Sequence, residues 1–105
     1  MVIEFGKEYL RELYVNGKTA DKKHRFQPEI VKAYRKTVLQ LMAVFRITDL
    51  FTMRGLNYEV LQGDKAGISS VRINQKYRLE FTVKEVAGEQ IITICTLLEI
   101  SNHYK

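Results

Sequence analysis

Near Arg54-Gly55 the hydrophobic period of this chain changes from about 3.6 residues to 2. A single switch of that kind, in mid-sequence, builds helices first and a sheet afterwards. Before it, Tyr9, Leu10, Leu13 and Tyr14 recur at helical spacing, and Asn16-Gly17 supplies a helix end. A second helix starts at Pro28, well suited to the first helical position, and carries the stripe Ile30, Ala33, Tyr34, Thr37, Val38, Leu41, Val44 and Phe45. A short helical turn is expected at Thr48 to Met53. Ahead of both helices, Val2-Ile3-Glu4-Phe5 is β-branched and aromatic and reads as a strand. After the switch, strands are expected near 57–62, 68–73, 77–85 and 90–100, joined by Gly63-Asp64-Lys65-Ala66-Gly67, Asn74-Gln75-Lys76 and Ala87-Gly88-Glu89. The expected fold is α+β: an N-terminal strand and two helices packed on a four- to five-stranded, mainly antiparallel sheet.

At 105 residues the chain suits one domain spanning 1–105, able to bury roughly 65% of its unfolded surface without metal or disulfide support. The lone Cys95 cannot form an internal disulfide, which favours a reducing cytoplasm. No apolar run is long enough to span a membrane, and charge interrupts the opening residues where a signal peptide is apolar. The two histidines and one cysteine lack zinc-ligand spacing, and His24 and Cys95 receive only structural readings. The glycines at 63 and 67 form no phosphate-binding loop, and neither a dinucleotide fingerprint nor a nucleophile elbow is present. No cofactor, metal or small-molecule substrate is therefore expected.

Lys and Arg number 17 against 12 Asp and Glu, a formal charge of +5. The whole excess lies in residues 1–55, with eleven basic and six acidic side chains, while 56–105 holds six of each. Part of it is the run Lys18 to Arg25, a basic loop suited either to a phosphate backbone or simply to solvent.

Alternation in the sheet assigns the remaining polar groups. Tyr77, Leu79, Phe81 and Val83 share one face, and Lys76, Arg78, Glu80 and Thr82 the other. Val71 and Ile73 are expected on the buried side, with Ser70 and Arg72 opposite. If the register is in phase, Glu59 joins the two arginines on an open polar face. The terminal His103-Tyr104 would reach the rim of that face. A carboxylate, arginines and a histidine are the parts needed to take a proton from a ribose 2′-hydroxyl, steady a five-coordinate phosphorus and protonate the leaving 5′-oxygen.

Tyr58-Glu59-Val60-Leu61-Gln62-Gly63-Asp64-Lys65-Ala66-Gly67, Ser70-Val71-Arg72-Ile73-Asn74 and Tyr77-Arg78-Leu79-Glu80-Phe81 together resemble the sheet signature of the RelE and ParE superfamily of bacterial toxins. The order of elements and the pair Asp49-Leu50 look most like its HigB branch, and the likeness covers about residues 55–104. The resemblance implies the toxin of a type II toxin-antitoxin pair, cytoplasmic, with a cognate antitoxin, the ribosome and messenger RNA as partners. It implies a metal-free endoribonuclease that leaves a 2′,3′-cyclic phosphate and so inhibits translation. By likeness to the YoeB branch, Glu59, Arg78, His103 and Tyr104 take the catalytic positions, with Arg72, Lys65 and Gln62 as RNA contacts. HigB-like toxins commonly have histidine at the position of Glu59 and lysine at that of Gln62; Lys65 is a candidate substitute for the latter. Two other readings stay open: a ParE-like toxin that inhibits DNA gyrase, and a non-enzymatic RNA-binding domain.

Overall fold

The computed structural model describes residues 1–102. Strand β1 (Val2–Phe5) is followed by α1 (Glu8–Asn16), a 3-10 turn (Lys22–His24) and α2 (Pro28–Ala43). Two further 3-10 turns, Ile47–Thr52 and Arg54–Leu56, lead into β2 (Glu59–Val60). A turn at Gly63–Lys65 precedes β3 (Ser69–Arg72), β4 (Tyr77–Val86) and β5 (Ile92–Asn102). The five strands form one sheet in the order β1-β5-β4-β3-β2. β1 runs parallel to β5, and every other pairing is antiparallel. The expected α+β architecture is therefore the one observed, with a first meander strand shorter than expected and a last strand that extends to Asn102.

Both helices put their apolar stripes on one face of the sheet. Leu10 and Leu13 of α1 and Tyr34, Val38 and Leu41 of α2 join Val71, Leu79, Phe81, Cys95 and Leu97 in a common core. Two tyrosines tie the layers by their hydroxyls as well as by area. Tyr34 Oη donates to the Leu10 carbonyl at 2.7 Å, and Tyr9 Oη accepts from the Ile100 N–H at 3.0 Å. Gly17, at φ 76°, ends α1 in the left-handed conformation expected of Asn-Gly. The stripe of α2 stops short of the expected Phe45, which is 85% exposed. Asp49 explains the break: its carboxylate accepts from the Phe45 and Arg46 N–H groups, which a continuing helix would have turned toward its own carbonyls.

A bulge in the β4–β5 ladder decides which residues of β5 reach the core. Glu80 pairs with Glu99, and the next residue of β4, Phe81, pairs with Leu97, so Leu98 is the extra residue. Strict alternation from Cys95 and Leu97 would send Glu99 into the apolar layer. The bulge returns Glu99 to the polar side and turns Ile100 inward, where it is buried.

Candidate functional site

The polar side of the sheet forms two cross-strand rows. Glu59, Ser70, Glu80 and Glu99 are successive neighbours in one row, and Arg72, Arg78 and Ser101 in the next. Directly paired residues project to the same side, so the Glu59–Ser70 register does bring Glu59 to the arginine face. Placing Arg72 opposite Arg78 sets two cations side by side, which is unfavourable for folding and favourable for an anion.

That face is not open, as alternation alone suggested, at its centre. Arg78 is only 6% exposed, and its guanidinium is fixed by protein acceptors. Nε donates to Ser70 Oγ at 2.9 Å, and Nη2 donates to the Asn57 carbonyl at 2.5 Å and the Ser70 carbonyl at 3.3 Å. Among the described residues Nη1 makes no such bond, and no buried polar side-chain atom lacks a partner, so Nη1 is the edge left to solvent. Burial pushes the Arg78 pKa below its ordinary value; Glu59 opposes this, Arg72 reinforces it and Glu80 opposes it. The group remains a cation at neutral pH.

Asn57 supplies its carbonyl because of its backbone. It is the one non-glycine residue of positive φ among those described (φ 44°, ψ 56°), a conformation asparagine tolerates better than most side chains. The turn it makes between Arg54–Leu56 and β2 aims the peptide oxygen at Arg78.

The remaining candidates fall in different settings. Glu59 is exposed and, among the described residues, forms no ion pair, though it lies close enough to Arg78 to influence its charge. Arg72 is half-buried, with Nε donating to the Asn74 carbonyl at 3.3 Å. Lys65 reaches back over the sheet from the Gly63–Lys65 turn, and its Nζ meets Oε2 of the buried Glu80 at 2.7 Å. That hydrogen bond raises the Lys65 pKa and commits its charge to Glu80. Gln62 is exposed at the start of the same turn. His103 and Tyr104 lie outside the described residues. β5 carries the chain as far as the arginine row, where Ser101 pairs with Arg78, and on to Asn102. Sequence reasoning missed Asn57; its place between a glycine-containing turn and a strand was the only available signal.

A sheet of this order, with helices on one face and an arginine pair among carboxylates on the other, is an α+β fold shared with a solved toxin structure. The chain superposes on a YoeB/ParE toxin from Agrobacterium tumefaciens with a TM-score of 0.56 at 18% identity, covering 99% of this chain and 100% of that one. The more particular assignment comes from sequence. The family model described as the RelE-like toxin of type II toxin-antitoxin system HigB matches residues 3–93. Toxin HigB-1 of Vibrio cholerae serotype O1 is 34% identical over 83 residues, spanning 77% of this chain and 82% of that protein. The chain belongs to the HigB family of type II toxins, and membership implies a cognate antitoxin as partner.

Proposed function

We propose that this protein is a ribosome-dependent endoribonuclease that cleaves messenger RNA in the cytoplasm without a metal ion. The observation that carries this reading is the Glu59–Ser70 register, which sets a carboxylate with no ion pair among the described residues on the same face as the Arg72–Arg78 pair. Glu59 removes the proton from the ribose 2′-hydroxyl, and the resulting oxygen attacks the adjacent phosphorus. Nη1 of Arg78, with Arg72 beside it, holds the non-bridging oxygens as negative charge grows on the five-coordinate phosphorus. His103 protonates the departing 5′-oxygen, and Tyr104 orients the phosphate or stacks on a base. The P–O5′ bond breaks as the 2′-O–P bond forms, leaving a 2′,3′-cyclic phosphate and a free 5′-hydroxyl. Gln62 is a neutral contact at the edge of this site, and Lys65 acts mainly by holding Glu80.

Primer extension on messenger RNA bound to programmed ribosomes tests the proposal. Wild-type protein should give discrete stops at the 5′-hydroxyl ends of the downstream fragments, and Glu59→Gln and His103→Ala should each slow single-turnover cleavage by roughly 100-fold or more. Intact message with folded wild-type protein would refute the nuclease reading, and inhibition of gyrase supercoiling under the same conditions would favour the gyrase-directed alternative.

A further inference from the structure

A cavity of about 890 Å³ opens on the helical side of the molecule, between α1 and α2. Its walls carry aliphatic side chains that the core does not use: Val15 of α1 and Leu39 of α2 are each 55% exposed. Charge of one sign surrounds them. Lys18, Lys32, Arg35 and Lys36 line the same cavity, no carboxylate does, and among the described residues none of the four forms an ion pair. Lys32 stands three and four residues before Arg35 and Lys36, a spacing at which like charges on a helix repel. The Arg35 guanidinium is brought close to α1 by Gly17, because Nη1 lies 3.5 Å from where a Cβ at that position would stand.

These features select one kind of occupant. An acidic partner relieves the repulsion among the four cations, and its apolar side chains cover Val15 and Leu39. A phosphate backbone answers the charge alone, since exposed aliphatic groups offer it neither a hydrogen bond nor a stack. The walls are helices and present no strand edge, so the occupant must satisfy its own backbone groups, as a helix does. Pro28 and Leu39 both border the cavity, and eleven residues of helix measure about 16 Å, enough to seat about three turns. We infer that this groove receives an amphipathic helix of the cognate antitoxin, with aliphatic side chains directed at Val15 and Leu39 and acidic flanks at Lys18, Lys32, Arg35 and Lys36. Docking here depends on the protein being a toxin with an antitoxin, and is independent of the RNA-cleaving chemistry proposed above.

Calorimetric titration with the cognate antitoxin tests the site. The double variant Val15→Lys/Leu39→Lys removes the apolar contact while adding two positive charges, and both substitutions are of exposed residues to a good helix former, so the fold should melt with wild type. Its Kd should rise roughly 10- to 100-fold, and that of Arg35→Glu roughly 10-fold or more. Lys84→Glu, the same change of charge on the exposed far end of β4, should stay within about twofold. Equal or tighter binding by the double variant overturns the apolar groove, and an equal loss from Lys84→Glu and Arg35→Glu reduces the effect to net charge and overturns it as well. A parallel titration uses a 2′-O-methyl RNA hairpin. If Arg35→Glu weakens the hairpin while antitoxin affinity is unchanged in every variant, the face belongs to RNA and the docking site is refuted.

Discussion

Replacing Arg78 separates its structural duty from its proposed chemical one, and the hydrogen bonds set the expected size of each. Arg78→Ala removes the bonds to Ser70 Oγ at 2.9 Å and to the Asn57 carbonyl at 2.5 Å, together with a weaker one at 3.3 Å. Hydrogen bonds to a charged group contribute about 1.5–3 kcal/mol each, so the two short ones represent about 3–6 kcal/mol before compensation. Burying the cation costs part of that, as the lowered pKa of Arg78 indicates, and truncation recovers the cost. A net loss of about 2–4 kcal/mol follows, equivalent to a fall in Tm of about 10 °C or more for a domain of this size. Arg78→Lys keeps the charge, but one ammonium cannot serve Ser70 and Asn57 in the planar geometry of the fork; it should lose about 1–2 kcal/mol. Thermal unfolding followed by far-UV circular dichroism gives the stability, and single-turnover cleavage well below each variant's Tm gives the chemistry. Folded Arg78→Lys that cleaves slowly is the expected outcome. An Arg78→Ala protein that melts like wild type would refute the structural argument, and one that cleaves at the wild-type rate would remove Arg78 from the mechanism. Loss of toxicity in cells alone decides neither, because an unfolded toxin is also harmless.

Three further outcomes follow from the packing and the titrating groups. Gly6 donates its N–H to the Leu97 carbonyl at 2.7 Å, and a Cβ at this position would sit 2.5 Å from that oxygen. Gly6→Ala should therefore destabilise the β1–β5 edge by about 1–3 kcal/mol in urea titration, and an unchanged midpoint would contradict the close approach. Lys65→Ala leaves the buried Glu80 carboxylate without its 2.7 Å partner and should lower stability by about 1–3 kcal/mol, with Lys65→Arg recovering most of it; equal midpoints for wild type and Lys65→Ala would show that water serves Glu80 as well. Burial pushes the Cys95 thiol, ordinarily 9.0, and the Tyr9 phenol, ordinarily 10.0, each up to about 12. Both hold their protons more tightly folded than unfolded, so their contribution is complete below about pH 9 and is lost as pH climbs toward 12. Unfolding free energies at pH 8 and 10.5 should differ in that direction, and a flat profile would count against it.

Local pattern was enough for much of this architecture and for part of the site. Alternation in β4 correctly separates Arg78 and Glu80 from Leu79 and Phe81, because side-chain direction in a strand depends only on position. The pairing of Glu59 with Ser70 stayed conditional on register, because both residues of β2 are exposed and give no burial alternation to fix it. The bulge at Leu98 was not legible, since it belongs to the ladder between β4 and β5 and leaves no turn residue in the sequence. The same is true of Arg78's burial, which arises from the left-handed turn at Asn57 and the return of Lys65 over Glu80, both settled by tertiary contact. Phe45 illustrates a competing local signal: its apolar character continued the helical stripe, while Asp49 four residues later captured its N–H.

The sheet order has a temporal side. β5 is the final strand described, yet it is threaded between β1 and β4. A nascent chain that has emerged only through β4 holds an amino-terminal strand without its parallel neighbour and an apolar layer without Cys95, Leu97 and Ile100. β1 and β5 must meet before either is stable, so assembly of this sheet waits for the last of its described strands. For a member of a toxin family this delays maturation of each molecule until β5 has left the ribosome that makes it.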